Sequence, residues 1–256
     1  MQFKINFKSD KDIILPFQYN HILQGSLLSM IHDEKYAEFL HNRGYTHDKR
    51  NFKLYTFSRI MGQANVDREK KEFHFGKICA LYVASMDNKL IHQVFTDFTD
   101  KQSNLRWKNN IITTHSIDIL EPPVLLEKDE IIVKTVSPIT TYSTLYDIDH
   151  TKKIYYYSPY EKEFQQNIAA NLKKKYFAFY GTYPKDESFQ IVPIKDVKAC
   201  VLTYKGKLTK GYTGIYAIKG SKEMLNTALC AGLGNRNSIG FGMVLFIRRC
   251  ENKNDL

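Results

Sequence analysis

The 256-residue sequence predicts an α+β fold in which a β-α-β-β-α-β order occurs twice. That order is the split βαβ unit of ferredoxin-like (RRM-like) folds. Three observations carry the prediction. Alternating apolar stretches and amphipathic runs follow one another in this order between Phe3 and Leu120. The same order returns between Ile131 and Ile247, without sequence similarity to the first pass. Between the two stands Glu121-Pro122-Pro123, and prolines are excluded from the middle of a central strand. Two domains, 1–123 and 124–256, are therefore expected.

The first strand is the alternation Phe3, Ile5, Phe7, and Leu15-Pro16 ends the following turn. Ile22, Leu23, Leu27, Met30 and Ile31 recur at helical spacing. The helix is expected to run on through Phe39 and Leu40 and to stop at Asn42-Arg43-Gly44, where glycine can take a left-handed cap. A mobile basic loop, Tyr45 to Asn51, precedes a strand over Phe52–Ser58. The stretch Phe73 to Ala84 reads as strand. Met86, Leu90, Ile91, Val94, Phe95 and Phe98 make a second amphipathic helix, and a strand over Ile111–Leu120 closes the first unit. The second unit opens with Ile131-Ile132-Val133 and passes through a tyrosine-rich excursion (Tyr155-Tyr156-Tyr157) to a helix at 160–176. Strands at 188–203 and 211–219, a short helix at 221–230 and a strand over Ile239–Ile247 complete it.

Composition narrows the function classes. Hydrophobic residues make up 43% and charged residues 25%, the balance of a globular chain rather than a disordered one. The longest apolar runs fall far short of the roughly 18 residues that span a bilayer, so no membrane association is expected. Met1–Lys8 is charged from the start and lacks an apolar signal core, which predicts a cytoplasmic protein. Cys79, Cys200, Cys230 and Cys250 are too widely spaced for a CxxC metal knuckle and read as small buried hydrophobes in a reducing compartment. Lysine and arginine total 37 against 27 acids, a net charge of +10. Such a surplus suits a polyanionic partner, because each neutralised phosphate releases counterions. Seventeen tyrosines and 16 phenylalanines add surfaces on which unpaired bases can stack.

The sharpest local signal is Gly232-Leu233-Gly234-Asn235-Arg236-Asn237-Ser238-Ile239-Gly240-Phe241-Gly242, two Gly-apolar-Gly pairs flanking a basic polar segment. Glycine admits positive φ and close backbone approach. Free N–H groups in such a C-terminal glycine-rich loop can hold anionic oxygens, and Arg236 adds charge. A dinucleotide fingerprint requires strand, loop, then helix. Here a helical segment precedes the loop and a strand follows it, so that reading fails and no cofactor is expected.

This loop, placed before the last strand, closely resembles that of the CRISPR-associated endoribonucleases that cut precursor crRNA, the Cas-six family of the RAMP superfamily. The resemblance extends along the chain in unbroken order. It covers Leu15-Pro16, Tyr19-Asn20-His21 and Leu23-Gln24-Gly25, then Phe39-Leu40-His41-Asn42, Phe52-Lys53-Leu54-Tyr55-Thr56-Phe57-Ser58, Ser137-Pro138-Ile139, and Asn171-Leu172-Lys173-Lys174-Lys175-Tyr176. The family has tandem ferredoxin-like domains, in agreement with the element order. The resemblance implies cleavage of CRISPR repeat RNA within precursor crRNA, to a 2′,3′-cyclic phosphate and a 5′-hydroxyl. It also implies partners among the other subunits of an interference complex, and relatives occur as monomers and as homodimers.

Cutting RNA in this way needs a base for the 2′-hydroxyl, charge for the pentavalent transition state and a proton for the leaving 5′-oxygen. Histidine suits the base, since imidazole titrates near working pH. In the family a histidine late in the first helix, or in the loop after it, plays that part with a lysine on the next strand. By position His41 matches, with Lys53 as the lysine, and His47 in the basic loop is the rival base. The tyrosine that some relatives carry in the first helix is replaced by Leu28, and Tyr45 is the candidate to take its place. RNA contacts are expected from Gly232, Gly234, Arg236, Asn237, Ser238, Gly240 and Gly242 of the loop. Arg43, Lys49 and Arg50, and the cluster Lys173-Lys174-Lys175, are expected to add to them. Lys205, Lys207 and Lys210 form a further candidate phosphate strip on a hairpin.

Asp147-Ile148-Asp149-His150 has metal-ligand residue types but no accompanying carboxylate cluster, and His47-Asp48 lacks the other residues of an HD phosphohydrolase. No metal is expected. The alternative from a different class is a non-catalytic repeat-RNA-binding subunit that shares the fold and the loop. A nucleotide-binding enzyme is a remote third.

Overall fold

The computed structural model describes residues 1–101, 103–146, 148–204 and 206–250. The main strands are β1 (Gln2–Lys8), β2 (Tyr55–Phe57), β3 (Ile78–Ser85), β4 (Asn110–Leu120), β5 (Asp129–Thr135), β6 (Phe189–Tyr204), β7 (Lys207–Gly220) and β8 (Val244–Arg249). The main helices are α1 (Asn20–Ser29), α2 (Asn88–Thr96), α3 (Lys162–Tyr180) and α4 (Lys222–Ala231). The chain is thus a mixed α/β protein.

The N-terminal sheet runs β2-β3-β1-β4 with Leu105–Trp107 beyond β4, and every neighbouring pair is antiparallel. The C-terminal sheet runs β6-β7-β5-β8, again antiparallel throughout. In each half the first strand lies between the third and the fourth, and the second lies outside the third.

Each sheet buries one face under its own helices, so there are two cores. In the first, the alternation Phe3, Ile5 and Phe7 of β1 packs with Leu23 and Leu27 of α1 and with Leu90 and Val94 of α2. Trp107 is sealed in this core, its indole N–H donating to the Ser26 hydroxyl at 2.6 Å. In the second, Phe164, Ile168 and Leu172 of α3 and Met224, Leu225 and Ala228 of α4 meet Ile131, Val133, Tyr216, Ile218 and Val244. Among the described residues no helix is long and apolar enough to cross a membrane.

Several elements differ from the expectation. The first helix is not continuous. It ends at Met30, and a new helix starts at Glu34–Glu38 because the Asp33 carboxylate accepts the Tyr36 backbone N–H at 3.0 Å; a π turn at Phe39–Arg43 follows. The loop after it is a hairpin, Tyr45–His47 against Arg50–Phe52, and so the basic segment is held rather than mobile. The strand expected over Phe52–Ser58 is broken at Leu54, whose φ of 54° leaves extended geometry, so β2 begins only at Tyr55. The tyrosine-rich excursion is another hairpin, Tyr142–Tyr146 against Lys152–Tyr156. The last strand starts five residues late, because Asn237–Ile239 is a 3-10 turn. Cys79 and Cys230 are buried as expected, whereas Cys200 and Cys250 are only half-buried.

Candidate functional site

The glycine loop is a buried joint between the halves. Gly232, Gly234, Gly240 and Gly242 all take positive φ, from 67° to 84°, and all four are buried. A Cβ on Gly242 would run into the Leu233 carbonyl oxygen, and one on Gly234 into that of Thr140. These approaches are what require glycine. The expectation that the loop N–H groups stand free for phosphates is corrected for three of the four. Gly232 donates to Ala228, Gly240 to Asn237 and Gly242 to Pro138, at 2.8–3.1 Å. The loop's carbonyls are held from the N-terminal half. Thr56 Oγ1 donates to the Phe241 carbonyl and Asn20 Nδ2 to that of Ile239, each at 2.8 Å. The buried Asn237 amide donates to Leu233 at 3.1 Å and to Phe241 at 3.0 Å, tying the two glycine pairs together.

Beside the joint opens a cleft of about 660 Å³. It brings together Arg50 and Lys53 from the N-terminal half with Lys175, Gly234, Arg236, Asn237 and Ser238 from the C-terminal half. Among the described residues no carboxylate lines it, and Arg50, Lys53, Lys175 and Arg236 do. Arg236 sits at φ 61°, with its guanidinium 5.3 Å from the Tyr142 ring centre and hydrogen bonded to Thr209 Oγ1 at 2.5 Å. Burial pulls the Lys53 ammonium below the ordinary lysine range. Lys53 Nζ donates to the His41 main-chain carbonyl at 2.9 Å, which fixes the π turn beside the cleft.

His41 is exposed on that turn, and its Nδ1 lies 2.8 Å from the Asn42 side-chain oxygen. Amide oxygen only accepts, so Nδ1 carries the hydrogen and Nε2 is left as the basic nitrogen of the neutral ring. His47 is in a different setting. Its side chain is 5% exposed and its ring packs edge-on against Phe177, 4.5 Å between centres. Its Nε2 lies 2.8 Å from the Tyr183 hydroxyl. Its Nδ1 is 2.9 Å from the Asp48 carboxylate but out of hydrogen-bond alignment. The sequence placed His47 in an open loop; the hairpin instead turns it onto α3. Tyr45 is likewise turned away, its hydroxyl bonded to Asp87 and its ring against Phe179.

The lysine cluster divides. Lys173 is paired with Glu187 at 2.7 Å, Lys174 is half-buried, and Lys175 is not on the wet face at all. Its side chain runs inward and donates to the carbonyls of Gly232 at 2.6 Å and Gly234 at 3.0 Å. Arg43 and Lys49 are exposed but do not line the cleft. Lys207 and Lys210 are exposed on β7, while Lys205 and Asp147 lie outside the described residues. Among the described residues no three His, Cys, Asp or Glu side chains converge to hold a metal ion.

The sequence reading did not single out Asn20 and Thr56 as loop supports, nor Tyr142, Asn167 and Asn171 as cleft residues. Asn20 and Thr56 sit inside two of the family-like stretches, and that was the available signal. Tyr142 belongs to a hairpin with no clear strand pattern.

Comparison with known proteins agrees along the chain. The solved structure described as "Characterization of a Cas6-related gene from Pyrococcus furiosus" superposes with a TM-score of 0.82 at 22% identity, covering 96% of this chain and 98% of that one. A second, "An RAMP protein binding different RNA substrates", gives 0.80 at 20% identity over 97% of this chain and all of that one. Two antiparallel sheets of like order, joined at a cationic cleft, thus define a mixed α/β protein that shares the fold of these structures. Residues 120–246 match the family "CRISPR associated protein Cas6, C-terminal". The curated "CRISPR-associated endoribonuclease Cas6 1" of Methanocaldococcus jannaschii is 26% identical over 256 residues, 99% of this chain and 96% of that protein. The chain is therefore similar to Cas6 proteins along its length, and its residues 120–246 carry the match to the Cas6 C-terminal family.

Proposed function

We propose that the chain is a metal-independent endoribonuclease that cleaves CRISPR repeat RNA within precursor crRNA. The observation that carries this reading is the end-to-end similarity to a Cas6 endoribonuclease in a chain whose cleft is lined by cations and, among the described residues, by no carboxylate. The two like-ordered sheets are read as tandem ferredoxin-like domains, 1–123 and 124–256, in a cytoplasmic protein.

RNA brings its own nucleophile, so the protein supplies position, a proton acceptor and charge. The sugar–phosphate backbone enters the cleft, where Arg50, Arg236 and Lys53 meet it. His41 Nε2 takes the proton of the 2′-hydroxyl. The 2′-oxygen attacks phosphorus and the P–O5′ bond breaks. The 5′-oxygen takes up a proton, leaving a 5′-hydroxyl and a 2′,3′-cyclic phosphate. Lys53, already partly desolvated, stabilises the charge that builds on the equatorial oxygens.

The test is incubation of purified protein with labelled repeat RNA, followed by mapping of the cut. Cleavage at one position, blocked by a 2′-deoxy sugar immediately upstream of it, is expected. Equal cleavage of the deoxy-substituted strand would overturn the mechanism, and no cleavage of the intact repeat would overturn the function.

A further inference from the structure

Helix α3 buries the stripe Phe164, Ile168, Asn171, Leu172 and Lys175. A lysine on such a stripe is costly, because burial penalises its charge. Lys175 is 2% exposed, yet its ammonium holds two carbonyls of the glycine loop, those of Gly232 and Gly234. One turn earlier Asn171 is 5% exposed, with its side-chain oxygen buried and without a hydrogen-bond partner. Both residues line the cleft. The charged and titratable groups that share the cleft with Lys175 are Arg50, Lys53 and Tyr55 from the Arg50–Tyr55 segment, Tyr142 from the tyrosine-rich hairpin, and Arg236 from the loop. Among the described residues that line the cleft none is a carboxylate, so the ammonium has no counter-ion there. A polyanion in the cleft would provide what the fold withholds.

We propose that Lys175 is a positioning residue for RNA binding: it braces the glycine loop from beneath and carries its charge there once a phosphate occupies the cleft, so that binding takes up a proton. This rests on the endoribonuclease reading. Lys173, paired with Glu187 on the surface, has no such role. Burial lowers the Lys175 ammonium to about 7, so the free protein loses this proton near neutrality. Phosphate nearby favours the charged form again. Linkage then requires affinity to fall as pH rises.

The experiment measures the Kd of repeat RNA, made uncleavable by a 2′-deoxy sugar at the mapped cut, from pH 6 to 8.5. Wild-type protein and Lys175→Met are compared, with thermal melts confirming that both are folded. Wild-type affinity is expected to weaken on the order of tenfold across this range. Lys175→Met should bind about tenfold more weakly at pH 6 and show a smaller pH slope. Histidine titrations are common to both proteins and cancel in the comparison. If Lys175→Met does not fold, the wild-type Nζ is followed by NMR, and its titration must move to higher pH when RNA is added. A Lys175→Met slope equal to wild type, or an Nζ titration indifferent to RNA, overturns this inference alone. Failure of the wild-type protein to bind the repeat overturns it together with the proposed function.

Discussion

The Lys53 ammonium donates a hydrogen bond to the main-chain carbonyl of His41 across 2.9 Å, joining the cleft wall to the middle of the π turn. The bond makes Lys53 both a charge at the cleft and a brace for the proposed base.

Replacing His41 with Ala should abolish cleavage, a loss of about 10²–10⁴-fold, and change repeat-RNA affinity by less than about threefold. Lys53→Met should lose both rate and the setting of the turn. Single-turnover rates and filter-binding isotherms read the two effects separately. Cleavage that survives in His41→Ala would shift the base elsewhere.

His47→Ala should act on stability. The ring fills a niche against Phe177 and Tyr183, and emptying it costs about 1–3 kcal/mol. The melting temperature should fall, while the single-turnover rate of the folded fraction stays within about threefold of wild type.

EDTA should leave the rate unchanged, because in the proposed mechanism the attacking oxygen comes from RNA and the charge at the phosphate from side chains. Mass spectrometry of the upstream fragment should find a cyclic phosphate terminus. A linear 3′-hydroxyl would point to a different chemistry.

Gly242→Ala should be severely destabilising. Gly242 holds φ 75°, and the new methyl would meet the Leu233 carbonyl and the Asn237 amide. Strain of about 2 kcal/mol or more corresponds to a melting temperature lower by about 5 °C, measured by calorimetry. Gly25→Ala, with open space around its Cβ position, is the control.

Stability should also report on Lys175. Its folded value, about 7, lies below the 10.5 of an unperturbed lysine. Between those values the unfolded chain holds a proton that the folded chain lacks, so stability rises as pH goes from about 7 towards 10. The melting temperature of wild type relative to Lys175→Met should therefore climb between pH 7 and 9, on the order of 5 °C. A flat difference would place the lysine charge in solvent.

Much of this architecture can be read from residue order. Period-two runs such as Phe3-Ile5-Phe7 locate β1, and the 164/168/172 spacing locates the buried face of α3. Lys175 continues that spacing, three residues beyond Leu172, and its inward course could have been read from it. Local backbone events were less visible. The positive φ of Leu54 has no glycine to announce it, and the Asp33 cap interrupts an apolar periodicity that continues on both sides. The turn proposed to be catalytic was singled out because His41 and Lys53 fall in stretches that resemble the family. Which histidine faces solvent depended on a hairpin pairing, Tyr45–His47 with Arg50–Phe52, that short polar strands do not advertise.

The bonds from Thr56 and Asn20 to the carbonyls of Phe241 and Ile239 have a consequence for anyone recombining relatives. A chimera that takes its front half from one homologue and its back half from another keeps both cores intact and still mismatches the seam. Grafting works only when the donors of those two bonds travel with the segment that accepts them.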